Sequence, residues 1–229
     1  MPKRVLEVRR PGLVDYETAL QIQKKTESAV IAGGMRDTLF LLEHPHTYTL
    51  GRRAQNDGVL ATAKLLETLG ARVFETNRGG KVTYHGLGQL VGYPIINLSL
   101  FKEDVHLYVR NIEEVLIRTM ADFEIETFRI KDLTGVHTRE GKIAAIGVHI
   151  KRWVTTHGFA LNVNTDLSFF NHIIACEGEP AASMERILGR ELTFAETEEK
   201  IIKNFADVFE YDETIEPEMR ASARISRSY

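Results

Sequence analysis

The chain has one cysteine, Cys176, and its thiol is the side chain best suited to nucleophilic chemistry. A free thiol has a pKa of about 8.5, so only a few per cent of it is the reactive thiolate at neutral pH. A nearby ammonium group could lower that pKa by about two units, or about 2.7 kcal/mol, and Lys142 is a candidate. The competing interpretation is an inert core residue, because isolated cysteines beside isoleucines are more often buried than reactive.

Lys142 opens an otherwise apolar strand of small residues, GKIAAIGV at 141–148. A lysine at the end of a hairpin strand can also simply extend into water, so its position alone leaves both interpretations open. A second segment of small and apolar residues, HGFALN at 157–162, repeats the pattern, and two such strands could wall a narrow groove for an alkyl chain. His85 and His157 are alternative partners for the thiol, because Cys–His pairs are the commoner nucleophile arrangement.

The segment RGGKVTYHGLG at 78–88 contains four glycines in eleven residues. Glycine lets the backbone approach a ligand closely or adopt a positive φ. Arg78, Lys81, Tyr84 and His85 add hydrogen-bond donors, which raises the question of a phosphate site. The spacing matches neither the G-x-x-x-x-G-K-[ST] phosphate loop nor a G-x-G-x-x-G segment that opens a helix. The glycines alone fit either a ligand-contacting loop or a plain surface connection.

Composition argues against several classes of function. With 29 basic and 32 acidic residues, the net charge of −3 gives no general attraction to nucleic acid or to anionic membranes. No segment reaches the roughly 20 apolar residues that span a bilayer, and the N-terminus lacks a signal-peptide core, so we expect a cytoplasmic location. One cysteine cannot form an intrachain disulfide or a cysteine zinc site, and His44 and His46 have no marked third metal ligand.

Hydrophobic periodicity and turn residues predict a mixture of helices and short strands. The predicted helices are 15–30, capped by Asp15, then 61–69, 104–123 and 193–209, the last opened by a Thr193–Glu196 capping box. The predicted strands are 4–8, followed by a turn at Pro11 and Gly12, then 38–43, 47–50, 72–76, 90–98, 135–138, 142–151 and 154–163.

These elements do not follow a regular βαβ alternation. We therefore predict an α+β fold, with a mixed, largely antiparallel sheet and flanking helices, rather than a doubly wound nucleotide fold. A chain of 229 residues can bury one substantial core, so a single domain over residues 1–229 is the expectation. The tail from Asp212 to Tyr229 is polar and is expected to be peripheral.

Four ordered blocks of the chain resemble the lipoyl(octanoyl) transferase family, whose members move an octanoyl group from acyl carrier protein to a lysine of lipoate-dependent enzyme subunits. The blocks are LLEHPHTYTLGRR at 41–53, RGGKVTYHGLGQLVGYPIINL at 78–98, GKIAAIGVHIKRWVTTHGFALNVN at 141–164, and the cysteine that follows. Together they reach from about residue 41 to residue 176. The chain departs from the family pattern at Leu87, Ala175 and Glu177.

The resemblance implies a fold shared with the catalytic domains of lipoate and biotin protein ligases, and a cysteine–lysine pair that carries the chemistry. Cys176 would be the nucleophile, and Lys142 would lower its pKa and shuttle protons. No cofactor would be needed. The implied substrate-binding residues fall in three stretches: Arg78, Gly79, Gly80, Lys81, Val82, Thr83, Tyr84 and His85; Ala145, Ile146 and Gly147; and Gly158, Phe159 and Ala160.

The resemblance also implies partners in protein lipoylation. Octanoyl-acyl carrier protein would be the donor, and the acceptors would be lipoyl domains of 2-oxoacid dehydrogenase complexes and the glycine cleavage H protein. A monomer is the default expectation. Two alternatives stay open: an ATP-dependent lipoate or biotin ligase on the same scaffold, which would not require Cys176, and a non-catalytic protein that binds acyl groups or carrier domains.

Overall fold

A computed structural model describes residues 3–54, 58–174 and 180–217. Its strands are β1 Val5–Leu13, β2 Thr38–Glu43, β3 Thr47–Leu50, β4 Arg72–Glu75, β5 Val82–His85, β6 Gln89–Ile95, β7 Val136–Thr138, β8 Gly141–Lys151, β9 Val154–Asn162 and β10 Glu213–Ile215. Its α-helices are α1 Tyr16–Ile31, α2 Ala63–Thr68, α3 Val105–Ala121, α4 Met184–Leu188 and α5 Phe194–Val208. None of these helices, within the described ranges, is long and apolar enough to cross a bilayer.

The strands form two sheets. In the described part of the chain, seven of them make one sheet in the order β10-β1-β2-β6-β9-β8-β7, and the other three make a small sheet in the order β4-β3-β5. Strand β1 runs parallel to both of its neighbours, whereas β2, β6, β9, β8 and β7 pair antiparallel in turn. The predicted α+β class with a largely antiparallel sheet is confirmed.

The large sheet is covered by helices on both faces. Leu39 and Leu41 of β2 belong to the core shared with α3 and α5, while the alternating Phe40 and Leu42 pack with residues of α1. Such period-two alternation, with both sets apolar, is what a sheet buried on two sides requires. Both faces of this part of the sheet are thereby buried.

Several predicted elements are confirmed closely. The strands at 38–43 and 47–50 match residue for residue. Asp15 caps α1 by accepting hydrogen bonds from two backbone N–H groups of the first turn, and Asp104 and Thr193 each cap their helices through one. Local capping chemistry therefore sets the helix starts in this chain.

The predicted turn at Pro11 and Gly12 is wrong, because β1 continues to Leu13. The strand accommodates both residues through a register shift between Arg9 and Gly12 in its pairing with β2, and Gly12 takes a positive φ of 74°. On the other side β10 pairs only with Val5–Glu7, so the missing N–H of the proline costs no ladder hydrogen bond there.

Two further predictions need correction or extension. The glycine-rich segment at 78–88 is not all loop, since β5 lies inside it and pairs antiparallel with β3. The predicted peripheral tail begins with a strand, Glu213–Ile215, at the outer edge of the large sheet. The part of the tail beyond residue 217 lies outside the described residues.

Candidate active site

A cavity of about 320 Å³ lies between the glycine-rich segment of the small sheet and strands β8 and β9 of the large sheet. Lys142 and every predicted substrate-binding residue except Tyr84 line it. These residues are Arg78, Gly79, Gly80, Lys81, Val82, Thr83, His85, Lys142, Ala145, Ile146, Gly147, Gly158, Phe159 and Ala160. The structure therefore brings three stretches that are far apart in sequence to one concave site.

Tyr84 is the exception, because its ring packs inside the small sheet. The ring stacks on Phe169 with centroids 4.9 Å apart, and the hydroxyl group lies 2.7 Å from His46 Nδ1. Tyr84 is fully buried in a cluster with Tyr48 and Phe169. It supports the small sheet that carries the cavity wall and does not face the cavity.

The glycine-rich segment reaches the large sheet at Gly147, in the middle of β8. The N–H of Gly79 donates to the carbonyl of Val148 at 2.9 Å. A Cβ atom on Gly147 would lie 2.9 Å from the Gly79 carbonyl oxygen and 3.2 Å from Arg78 Cδ, so a larger residue would push the segment away. The small residue in β8 thus admits the segment as a wall of the cavity.

Arg78 fastens this segment to the small sheet. Its guanidinium donates to the carbonyl oxygen of Thr49 at 2.6 Å, to the Thr49 hydroxyl at 2.8 and 3.1 Å, and to the Gly79 carbonyl at 2.9 Å. Charged donors on backbone carbonyls make strong, directional hydrogen bonds. Arg78 therefore combines a structural anchor with a positive charge at the cavity.

Two histidines of the cavity wall are held neutral. Burial, aided by the charge of Arg78, lowers the pKa of His157 to about 3. Burial, with further unfavourable interactions from His44 and Arg78, lowers the pKa of His85 well below its ordinary value. His85 Nδ1 lies 2.8 Å from Gln89 Oε1, and His157 Nε2 lies 2.8 Å from Asn77 Oδ1. Such weakly basic imidazoles are poor proton acceptors at neutral pH, which argues against either as the thiol's partner.

A buried amide pair crosses the site and ends at Lys142. Gln89 Nε2 donates to Asn162 Oδ1 at 2.9 Å, and Asn162 Nδ2 donates to the carbonyl of Ala182 at 2.9 Å. The N–H of Ala182 then donates to the carbonyl of Lys142 at 3.0 Å, and the N–H of Lys142 to the carbonyl of Pro180 at 2.8 Å. The backbone of Lys142 is therefore fixed against the 180–182 segment.

Cys176, Ala175 and Glu177 lie outside the described residues. The described residues on either side of them, Ile173 and Pro180, both line the cavity.

Comparison with known proteins identifies the family. A family model described as the lipoyl protein ligase A/B catalytic domain matches residues 15–206. The chain belongs to this family. The octanoyltransferase of Solibacter usitatus is 49% identical over 206 residues, which cover 90% of this chain and 93% of that relative. The octanoyltransferase of Koribacter versatilis is 46% identical over 212 residues, covering 90% and 84%. The predicted resemblance and the predicted acyltransferase class are confirmed.

Solved structures support the same fold. Protein Ta0514 of T. acidophilum, a candidate lipoate protein ligase solved with bound lipoic acid, superposes with a TM-score of 0.71 at 15% sequence identity. The match covers 95% of this chain and 90% of the other. At that identity the likeness concerns the fold, and it confirms the predicted scaffold of lipoate ligase catalytic domains.

The cavity also contains residues that the sequence prediction missed. Gln89, Tyr93 and Asn162 line the cavity, and all three fall inside the blocks that carry the family resemblance. Treating each polar residue of those blocks as a candidate would have found them. Tyr16 also lines the cavity from the start of α1, and nothing in its local sequence signals that role.

Proposed function

We propose that Cys176 accepts an octanoyl group from octanoyl-acyl carrier protein and passes it to a lysine of a lipoyl domain. In the first step the thiolate attacks the donor's thioester carbonyl, and the carrier's thiolate leaves and takes a proton from the Lys142 ammonium, which becomes a neutral amine. In the second step the acceptor amine attacks the Cys176 thioester, an amide forms and the thiol is released. Exchange between thioesters is nearly isoenergetic and amide formation is downhill, so neither step needs ATP or a cofactor.

The observation that carries this proposal is the backbone pairing of Lys142 with the segment that follows the cysteine. Lys142 bonds to Pro180 and Ala182, which come directly after 175–179, and Ile173 enters the same cavity from the other side. These contacts of the residues on both sides of 175–179 support the cysteine–lysine pair that the family resemblance implies.

Lys142 has two tasks in this scheme. As an ammonium it favours the thiolate and lowers the pKa of the Cys176 thiol. As a neutral amine it takes the proton that the acceptor's nitrogen loses when the amide forms. The neutral histidines His85 and His157 contribute no charge to either step.

The apolar part of the cavity suits the acyl chain. Ile146, Phe159 and Ala160 line it from β8 and β9, and Phe159 and Ala160 are almost fully buried. Each methylene group removed from water contributes about 0.8 kcal/mol, so an eight-carbon chain gains several kcal/mol of binding. The acceptors we propose are lipoyl domains, including those of 2-oxoacid dehydrogenase complexes, and the glycine cleavage H protein, in the cytoplasm.

The test is a mass measurement. The protein is incubated with octanoyl-acyl carrier protein in the absence of ATP, and its intact mass and peptides are determined. We expect one added octanoyl group on Cys176, its transfer to a lipoyl domain lysine, and neither event in Cys176→Ser. An unmodified cysteine during productive transfer would contradict the proposed intermediate.

A ligase reaction is the rival that the shared fold favours, because Ta0514 has the same scaffold. The same experiment with free octanoate or lipoate and ATP separates the two. Acylation of the lipoyl domain that requires ATP and survives Cys176→Ser would replace the transferase scheme with adenylate chemistry.

A further inference from the structure

Helix α3 carries a buried carboxylate outside the cavity. The side chain of Glu113 is 1% exposed, whereas that of its neighbour Glu114 is 33% exposed. A buried carboxylate is destabilising unless it is paired and hydrogen-bonded. Glu113 Oε2 accepts from Arg110 Nη1 at 2.6 Å and from Arg129 Nε at 3.1 Å, and its Oε1 accepts from the backbone N–H of Gly135 at 3.2 Å.

These contacts hold the two ends of one segment, 129–135. The segment joins the helical layer to β7, and its middle residues, Asp132, Leu133 and Thr134, line the cavity. Glu113 grips it at Arg129 through a side chain and at Gly135 through the backbone. One carboxylate on the helix therefore fixes where this part of the cavity rim lies.

Gly135 packs directly on the Lys142 side chain. A Cβ atom at Gly135 would lie 2.5 Å from Lys142 Cε and 3.2 Å from Nζ, and its backbone has a φ of 134°, which other residues rarely adopt. The aliphatic end of Lys142 thus lies in the space that the missing side chain leaves. A shift of Gly135 in either direction would move the ammonium group or leave it unsupported.

We infer that Glu113 is a positioning residue for Lys142. It holds Gly135 by the backbone, Gly135 supports the end of the lysine side chain, and the ammonium group is thereby aimed along the cavity edge. The inference rests on the proposed role of Lys142 in acyl transfer. It assigns to α3, which contributes neither proposed reacting group, control over the geometry of the catalytic pair.

Glu113→Gln tests this with little change of shape. Both carboxylate oxygens of Glu113 are acceptors in use, and an amide has only one acceptor, so its NH2 group must face either the arginines or the Gly135 N–H. Whichever way the amide turns, it loses its hydrogen bonds either to the arginines or to the Gly135 N–H, and the 129–135 segment is no longer held at both ends. Because a displacement of about 1 Å at a reacting group can cost about 100-fold, we expect Cys176 acylation to slow by about 10- to 100-fold.

Glu114→Gln is the matched control. Glu114 Oε2 accepts from Arg129 at 2.8 Å and Oε1 accepts from Arg118 at 2.9 Å, but Gly135 is bonded to Glu113. The substitution is the same and lies one residue away, at a side chain that is 33% exposed. We expect a change in acylation rate of less than about twofold.

A double-mutant cycle with Lys142→Ala distinguishes positioning from general damage. If Glu113 acts through the lysine, Glu113→Gln slows acylation in the parent protein but adds less than about threefold in the Lys142→Ala background. An equal loss in both backgrounds, or no loss in the parent, would overturn the inference. The proposed function fails differently: Lys142→Ala itself would then react as fast as the parent.

Arg129→Gln repeats the cycle if Glu113→Gln does not fold. Arg129 is 35% exposed, and its loss leaves Glu113 paired with Arg110 while releasing one end of the 129–135 segment. Arg118→Gln, which removes only a surface pair with Glu114, is its control. The expected pattern is the same, with a loss that depends on Lys142, and a loss independent of Lys142 would overturn the inference here too.

Discussion

The two sides of the cavity hold their ionisable groups in opposite ways. On the side of β5 and β9, His85 and His157 are buried, bonded to the side-chain amides of Gln89 and Asn77, and kept neutral by a lowered pKa. On the side of β7 and β8, Lys142 is partly buried at the cavity edge, fastened through its backbone and supported by Gly135. The two histidines of one side are uncharged at neutral pH, and the other side presents an amine.

In the scheme that we propose, this difference lets the site bind an apolar chain and still transfer protons. Neutral imidazoles that are hydrogen-bonded to side-chain amides place no charge of their own beside an alkyl chain. Burial of that chain against the apolar wall therefore still contributes favourable binding free energy. Lys142 lies at the rim and is only partly buried. The following predictions challenge this division, beginning with the largest expected effect.

Lys142→Ala should abolish the proposed proton transfer by this side chain and leave the histidine side of the cavity unchanged. Loss of a general acid–base group slows a reaction by about 100- to 10,000-fold, so we expect single-turnover acylation of Cys176 to fall by about three orders of magnitude. Lys151→Ala, at the exposed far end of the same strand, is the control and should retain the parent rate. Comparable losses in the two variants would refute a specific role for Lys142.

Acid should lower the free energy of unfolding through the buried histidines. In the unfolded chain each imidazole protonates near pH 6.5, whereas burial lowers the pKa of His44 to about 4, of His157 to about 3, and of His85 well below its ordinary value. The unfolded state therefore binds more protons below pH 6.5, and the free energy of unfolding falls as the pH drops. Between pH 7.5 and 5.5 we expect a loss of about 4 kcal/mol, measured by urea unfolding.

A flat free energy of unfolding over that range would show that these histidines are accessible to protons in the folded protein. Burial also raises the pKa of the Asp37 and Glu198 carboxyl groups, which works in the opposite direction at lower pH. The measurement should therefore stay above pH 5, where the histidine contribution dominates.

Gly147→Ala should displace the glycine-rich segment from β8 and so disturb the cavity wall. The added methyl group would lie 2.9 Å from the Gly79 carbonyl, so the segment must shift and its hydrogen bond to Val148 weakens. Overpacking of this kind costs about 1–3 kcal/mol, and we expect a raised KM for octanoyl-acyl carrier protein with a smaller change in kcat. Gly34→Ala is the control, because a Cβ atom there would make only an ordinary contact, 3.7 Å from the carbonyl oxygen of Ala29; a KM increase there as large as in Gly147→Ala would count against the wall.

His157→Asn should give the smallest effect, a change in pH dependence. Asparagine tolerates the positive φ of 58° at this position, and the Gln23 side chain can still accept from the backbone N–H. Removing one of the three imidazoles should reduce the stability lost between pH 7.5 and 5.5 by about 1.4 kcal/mol. An unchanged slope in urea unfolding would mean that His157 does not bind a proton on unfolding.

The parts of this site that sequence could predict are those encoded by short stretches of chain. Small residues at 145, 147, 158 and 160 mark strands that allow close approach, and glycines at 79 and 80 mark a segment that can approach another closely. Capping residues such as Asp15 and Thr193 act on the next few N–H groups, so their effect is also local. Patterns of this kind are legible because each is contained in a few consecutive residues.

The remaining parts depend on which distant residues meet. Glu113 and Glu114 are adjacent and chemically identical, yet only Glu113 is buried, in helical register with Leu116 and Met120. That register predicts the burial of Glu113, but not the hydrogen bond that it accepts from the backbone N–H of Gly135, 22 residues away. Tyr84 likewise looks like a site residue in its block and turns out to pack in the small sheet's core.

Strand β10 affects how readily the large sheet can pair edge to edge with another copy of the chain. The edge of β1 offers unpaired backbone groups that another chain could extend into a shared sheet, and β10 covers that edge over Val5–Glu7. Beyond that cover the strand continues as Arg9, Arg10 and Pro11, whose charges and missing N–H discourage further pairing. Resistance to edge-to-edge aggregation is thus divided between a segment from one end of the chain and three side chains from the other.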